Sequence, residues 1–258
     1  MSTTTESAPR LASVPCPAND HEIDAAFLRQ MARVPVIAAA FTAAAWLGHL
    51  AWAPAPVVLL CVAMITAAVI DGWKFKVPNW LTLPLVLSGL FLGLLHDCGV
   101  AAGPGPVEDA ARGLAPLGGG VAASLLCTAI GFAMLFPALF MGGMGQGDVK
   151  MQMGFGSWVG ALYGSHEGPW TVFWAVACGF VAGGVIGLAM MLLRGELHKN
   201  LKNFQEIMLD FKVLALAGPK EAAARAQQRR PSWHRLPYGI PLCIGFVGYL
   251  GYLYWFAN

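Results

Sequence analysis

Long apolar runs follow one another along most of this chain, and they constrain its fold more than any other feature. The hydrocarbon core of a bilayer is about 30 Å thick and an α-helix rises about 1.5 Å per residue, so a run of about 20 apolar residues can cross it. The composition agrees, because 57% of the 258 residues are hydrophobic and only 12% are charged, which is too little charge for the surface of a soluble domain. We therefore predict an all-α fold, a polytopic membrane helix bundle.

The number of spans depends on the fifth apolar segment, which is short and contains three glycines between Met151 and Tyr163. Basic residues accumulate in cytoplasmic loops. With seven spans and a cytoplasmic N-terminus, Arg112 alone falls outside, and the other fifteen of the sixteen basic residues lie inside. This distribution favours seven spans, at 34–52, 55–71, 80–97, 117–140, 150–165, 170–193 and 238–256.

The chain outside the spans contains two larger cytoplasmic parts. Residues 1–32 begin with a polar, proline-containing stretch and are predicted to be disordered, which leaves 33–258 as the membrane domain. In the basic loop 194–237, apolar residues recur every three or four positions and predict an amphipathic helix in the lipid headgroup layer, or one that contacts a substrate or partner. These residues are Leu197, Leu201, Phe204, Ile207, Met208, Phe211 and Leu214.

The remaining composition excludes several kinds of site. The six cysteines form no Cys-x-x-Cys pair and no two histidines are four residues apart, so a zinc site is not expected. A Cys–His nucleophilic pair stays open, although most cysteines lie in apolar spans, where a thiolate is disfavoured. The basic residues lack the clustering with aromatic side chains that marks a nucleic-acid site, and we expect no nucleic-acid partner.

Two aspartates stand at the ends of apolar spans, Asp71 at the end of the second and Asp148 before the fifth. An ionisable side chain at the margin of a membrane segment is costly to desolvate and indicates a functional site. The seven-span topology places both at the cytoplasmic face, so each is the natural partner of the other. We therefore take Asp71 and Asp148 as the candidate catalytic residues.

The residues around the two aspartates predict ordered helix ends. Gly145 and Gly147 precede Asp148 and allow a close turn of the backbone. Pro78 suits the first turn of the next helix, and Asn79 can bond free backbone groups there. Lys150 can contact a carboxylate or an acidic substrate residue, or it is a basic anchor at the start of a helix.

The order of these motifs resembles a known family. An aspartate, a Pro-Asn opening the next span, and then a Gly-x-Gly-Asp-x-Lys opening a later span look like the prepilin peptidases, or type IV leader peptidases. The segment Leu236-Pro-Tyr-Gly-Ile-Pro241 resembles the C-terminal motif of that family. The resemblance covers residues 55–256 and implies that Asp71 and Asp148 correspond to the two catalytic aspartates.

The resemblance also implies a substrate and a place of action. By this resemblance, the expected substrate is a pilin or pseudopilin precursor with a short basic leader, cut before its hydrophobic helix at the cytoplasmic face of the inner membrane. The bifunctional members carry paired Cys-x-x-Cys motifs tied to N-methylation, which this chain lacks. It is therefore similar to the short peptidases of the tight-adherence, Flp-pilus type, and methyltransferase activity is not expected.

Two carboxylates and a water molecule are enough for the chemistry of an aspartic endopeptidase. Two close carboxylates cannot both ionise cheaply, so the pair shares a proton. The ionised one takes a proton from water while the protonated one polarises the scissile carbonyl, and no cofactor is expected. The residues do not indicate which aspartate is the acid.

Two other functions remain open. A presenilin or signal-peptide-peptidase relative also uses Gly-x-Gly-Asp, but here Ile70 stands where that family has tyrosine before its first aspartate. A non-enzymatic transporter or pilus-assembly scaffold would use the aspartates to relay protons or ions, although relay carboxylates lie more often at mid-membrane depth than together at one face.

Overall fold

The computed structural model describes residues 25–74, 77–100, 119–140, 144–194 and 238–256, and within these ranges it contains helices and no strands. This confirms the predicted all-α fold. In these ranges, six helices are long and apolar enough to cross a membrane. They are α1 (Ala25–Ala51), α2 (Ala55–Lys74), α3 (Asn79–Asp97), α4 (Val121–Phe140), α5 (Gln146–Arg194) and α6 (Gly239–Phe256).

The helices begin and end close to the predicted spans, with three clear differences. The helix α4 begins at Val121, four residues after the predicted start at residue 117. The first helix begins at Ala25, nine residues before the predicted start and within the segment predicted to be disordered. Its first residues, Ala-Ala-Phe-Leu-Arg-Gln-Met-Ala, include several strong helix formers. The fifth helix begins at Gln146 instead of residue 150. The amphipathic helix predicted in 194–237 lies outside the described residues.

The helix α5 consists of two pieces that meet at Gly164. That residue has φ 76° and ψ −172°, a conformation that glycine adopts without a steric penalty. A Cβ placed on Gly168 would lie 3.5 Å from the Cα of Gly160, whereas eight residues of straight helix span about 12 Å. The chain therefore folds back here, giving α5a (146–163) and α5b (165–194), which correspond to the predicted fifth and sixth segments. The seven crossings and the orientation of the N-terminus stay predictions.

The first piece, α5a, packs in the middle of the bundle against α3 and α4. The indole of the buried Trp158 donates hydrogen bonds to the carbonyl oxygen of Leu85 (3.0 Å) and to Ser88 Oγ (2.9 Å) on α3. On the side facing α4, a Cβ on Gly160 would collide with the carbonyl oxygen of Ala123. Small residues and interhelical hydrogen bonds of this kind bring membrane helices together where no hydrophobic effect does.

The bundle has two ends, and contacts show which helix termini meet at one of them: Gly239 at the start of α6 bonds Asp71 near the end of α2, and Gly147 in the first turn of α5 approaches Val77 before α3. The C-terminus of α2 and the N-termini of α3, α5 and α6 share one end, which we call the site end. Two exposed tryptophans mark it, Trp73, which is 83% exposed, and Trp80. The opposite end carries the exposed Trp52, Trp170 and Trp255. Tryptophans concentrate at the two membrane–water interfaces, which places the site end at a membrane boundary.

Candidate active site

Asp71 lies in the last turn of α2 and is only 5% exposed. A negative charge at the C-terminus of a helix opposes the helix dipole, so this position does not stabilise α2. The partner comes from another helix, because the backbone N–H of Gly239, the first residue of α6, donates a hydrogen bond to Asp71 Oδ2 at 3.1 Å. The carboxyl group therefore caps α6, where the dipole favours negative charge.

Asp148 lies in the first turn of α5 and is also 5% exposed. The backbone N–H of Gly145 donates a hydrogen bond to Asp148 Oδ2 at 3.2 Å. The second oxygen, Oδ1, is buried and has no hydrogen-bond partner among the described residues. One oxygen of the carboxyl is thus held by the preceding turn, and the other is available.

The fold brings the two aspartates to the same place. The charge of Asp71 acts on Asp148, although 77 positions separate them along the chain. Tyr238 lies on this side of the site. Burial, and after it the charge of Asp148, raises the pKa of the Tyr238 phenol. The candidate site is therefore formed by the end of α2, the start of α5 and the residues that open α6.

Two glycines allow the chain segments at the site to approach each other. A Cβ on Gly147 would lie 2.9 Å from Val77 Cβ and 3.1 Å from the Val77 nitrogen, which is too close for a side chain next to backbone. At Gly239, a Cβ would lie 2.8 Å from Asp71 Oδ2. Gly147 thus lets the first turn of α5 meet the segment before α3, and Gly239 lets its own N–H reach Asp71.

Tyr238 and Gly239 were not among the predicted site residues. The motif at 236–241 could have indicated them. It opens the last span, just as the Pro-Asn motif and the Gly-x-Gly-Asp-x-Lys motif open earlier spans. In the described part of the chain, no group of three or more His, Cys, Asp or Glu side chains is placed to hold a metal ion.

Comparison with known families identifies the chain. The family model of the type IV leader peptidases matches residues 58–192, more than half of the chain, and both aspartates fall within this range. The chain belongs to the type IV leader peptidase family. The match confirms the resemblance seen in the sequence, and it favours that family over a presenilin-like relative. No curated protein and no solved structure matches the chain.

The leader peptidase motif around Pro78 and Asn79 has a different local structure from the one predicted. Pro78 does not lie in the first turn of α3 but directly before it, with φ −76° and ψ 136°, because Asn79 is the first helical residue. The side chain of Asn79 does not bond the free backbone groups of α3. Its Oδ1 instead accepts a hydrogen bond from Lys150 Nζ at 2.9 Å.

Within the described residues Lys150 therefore has a partner that was not predicted, the side chain of Asn79. A contact with an acidic substrate residue and a role as a basic anchor stay predictions for Lys150. Its ammonium joins the start of α3 to the first turns of α5 through Asn79. Both side chains are half-buried, and a hydrogen bond with one charged partner contributes roughly 1.5–3 kcal/mol. In this leader peptidase the bond fixes the Pro-Asn motif against the turn that carries Asp148.

Breaking the bond between Lys150 and Asn79 should loosen the site end without removing a catalytic group. We expect Lys150→Met and Asn79→Ala each to lower the thermal unfolding midpoint in detergent by a few degrees. The double variant should lower it no further than the larger single effect, because both changes remove one interaction. Lys74→Met is the matched control, since Lys74 is exposed in the last turn of α2. Additive losses would mean that the two residues act separately.

Proposed function

We propose that this member of the family is a membrane aspartic endopeptidase with Asp71 and Asp148 as its catalytic pair. Its substrates are type IV or Flp-type pilin or pseudopilin precursors, whose leader it removes at the cytoplasmic face of the inner membrane. One observation carries the proposal: two carboxyl groups from different helices, each only 5% exposed, lie at the site end of the bundle, where each accepts a hydrogen bond from a backbone N–H of Gly239 or Gly145.

The chemistry needs only the two carboxyl groups and water. One ionised aspartate takes a proton from a water molecule, whose oxygen attacks the scissile carbonyl carbon, while the protonated aspartate donates a hydrogen bond to the carbonyl oxygen. The tetrahedral intermediate then breaks its C–N bond, and the leaving nitrogen takes up a proton. Gly145 and Gly239 each hold one oxygen of a carboxyl group through a backbone N–H. Fixed orientation of this kind lowers the barrier, because less freedom is lost in the transition state.

The position of the pair suits a substrate that is itself anchored in the bilayer. The site end carries the exposed Trp73 and Trp80, which belong at a membrane–water interface. A precursor whose apolar helix lies in the membrane presents the residues before that helix at the same depth and reaches the site by lateral diffusion. Cleavage at this level removes a short cytoplasmic leader and leaves the helix in the bilayer.

We expect the wild-type chain to cleave a prepilin-type substrate when both are present in membranes of a host that lacks its own leader peptidase. The substrate has a short basic leader followed by an apolar helix, and cleavage is followed by its size and by the mass of its new N-terminus. The matched control is the same helix without the leader, which should keep its size. An uncleaved precursor beside a correctly inserted chain would contradict the proposal and favour a transporter or an assembly scaffold.

A further inference from the structure

One buried polar side chain near the site has no role in the proposed chemistry. Gln152 lies in α5a, is 0% exposed, and both its Oε1 and its Nε2 lack a hydrogen-bond partner among the described residues. Burying an amide without partners costs about 1–3 kcal/mol. An apolar residue of similar size would avoid that cost, so the amide requires an explanation.

The location of Gln152 connects it with Asp148. The two residues are four positions apart on the same helix, so their side chains are neighbours on one face. Side chains on a helix lean towards its N-terminus, which for Gln152 is the turn of Asp148. In the part of the chain that the structure describes, the third buried side-chain atom without a hydrogen-bond partner is Asp148 Oδ1. The unpartnered atoms of the two side chains thus lie one helical turn apart.

The helix α4 closes this region from the other side. A Cβ on Gly131 would lie 3.2 Å from Gln152 Cγ and 3.3 Å from Gln152 Nε2, so the side chain packs directly against α4. No peptide reaches an amide enclosed in this way unless the helices separate. A water molecule needs only about one probe sphere of space and two to four polar partners. Asp148 Oδ1, Gln152 Oε1 and Gln152 Nε2 provide three.

We propose that Gln152 is a positioning residue for Asp148, with its amide and Asp148 Oδ1 joined by hydrogen bonds through one buried water molecule. This inference rests on the proposed function, because it assigns Asp148 a part in cleavage. The network holds the oxygen that Gly145 does not hold, so that the whole carboxyl group is oriented towards Asp71. Gln152 itself does not touch the substrate.

The first test replaces the amide by an apolar side chain of similar length. We expect Gln152→Met to accumulate in the membrane like the wild type and to cleave the prepilin-type substrate with kcat about tenfold lower, the effect of one hydrogen bond to an ionisable group, at unchanged KM. Ser157→Ala is the control on the same helix, because Ser157 is equally buried but donates to the carbonyl oxygen of Val86 (2.8 Å). Its kcat should stay near the wild-type value.

A kcat for Gln152→Met within about twofold of the wild type would overturn the inference, and so would a raised KM at unchanged kcat, which indicates a substrate contact. Cleavage by the wild type is measured first. Its absence refutes the proposed function, whereas an active wild type with an equally active Gln152→Met refutes only this inference.

A second variant keeps the test decisive if Gln152→Met does not accumulate. Gln152→Glu has almost the same shape and introduces a third carboxyl group beside the pair. Among the described residues, Asp71 on α2 and Tyr238 before α6 interact electrostatically with Asp148, and Lys150 lies two positions further along α5. We expect the pH dependence of kcat for Gln152→Glu to differ in shape from that of the wild type, because interacting carboxyl groups titrate together. Superimposable profiles would show that position 152 is not coupled to Asp148.

Discussion

Replacing either Asp71 or Asp148 by asparagine is expected to lower leader cleavage by about 10³-fold or more, since general acid–base groups contribute roughly 10²–10⁴-fold each. Asparagine keeps the shape of the side chain and an oxygen that accepts the N–H of Gly239 or Gly145, but it cannot exchange a proton. The fold should therefore survive while the chemistry stops. Cleavage is measured at equal amounts of membrane-inserted protein.

Asp97 provides a matched control for this change. It lies at the opposite end of the bundle, is exposed, and its Oδ2 accepts a hydrogen bond from the N–H of Val121 at 3.0 Å. Asn can accept the same bond, so Asp97→Asn should cleave at close to the wild-type rate. If Asp97→Asn were as inactive as the two site variants, the loss would reflect the general removal of acidic residues and not the site.

The second large effect is expected for Gly239→Ala, which should reduce kcat by about 10²-fold. A displacement of about 1 Å in an active site lowers the rate by about this factor. The added Cβ would lie 2.8 Å from Asp71 Oδ2 and 3.1 Å from both Asp71 Cβ and Cγ. The carboxyl group must move away, which breaks its bond with the Gly239 N–H. Cleavage is again compared at equal protein levels.

The control for Gly239→Ala lies on the same helix. A Cβ on Gly248 would meet no atom within 4 Å, so Gly248→Ala makes the same chemical change in α6 without touching the site. It should cleave like the wild type. Equal activity of Gly239→Ala and the wild type would mean that Asp71 is not held by the N-terminus of α6 in the working enzyme.

The sequence predicted well what depends on local patterns. The apolar runs located α2, α3 and α6 closely because length and hydropathy define a membrane helix. The start of α5 was placed four residues late, because Gln146, Asp148 and Lys150 make this stretch polar. A helix nevertheless begins there, since an acidic residue in the first turn is favoured by the helix dipole. The positions of both aspartates at helix ends were predicted for the same local reasons.

Contacts between distant parts of the chain were not predictable in this way. Gly239 and Asp71 are 168 positions apart, and Lys150 and Asn79 are 71 apart, so no spacing pattern joins them. Asn79 was expected to bond local backbone groups. Because α5 packs against α3, its side chain accepts a hydrogen bond from Lys150 instead. Gln152 carried no signal, because burial without a partner is a property of the folded bundle alone.

The central claim is that Asp71 and Asp148 act as one catalytic unit. The most direct test measures single-turnover cleavage of a prepilin-type substrate by the purified wild type, Asp71→Asn, Asp148→Asn and the double variant in lipid bilayers. When two residues act as a unit, removing the second lowers the rate no further than removing the first. All three variants should therefore cleave at the same residual rate. Substantial cleavage by either single variant, or a double variant far slower than both, would contradict the claim.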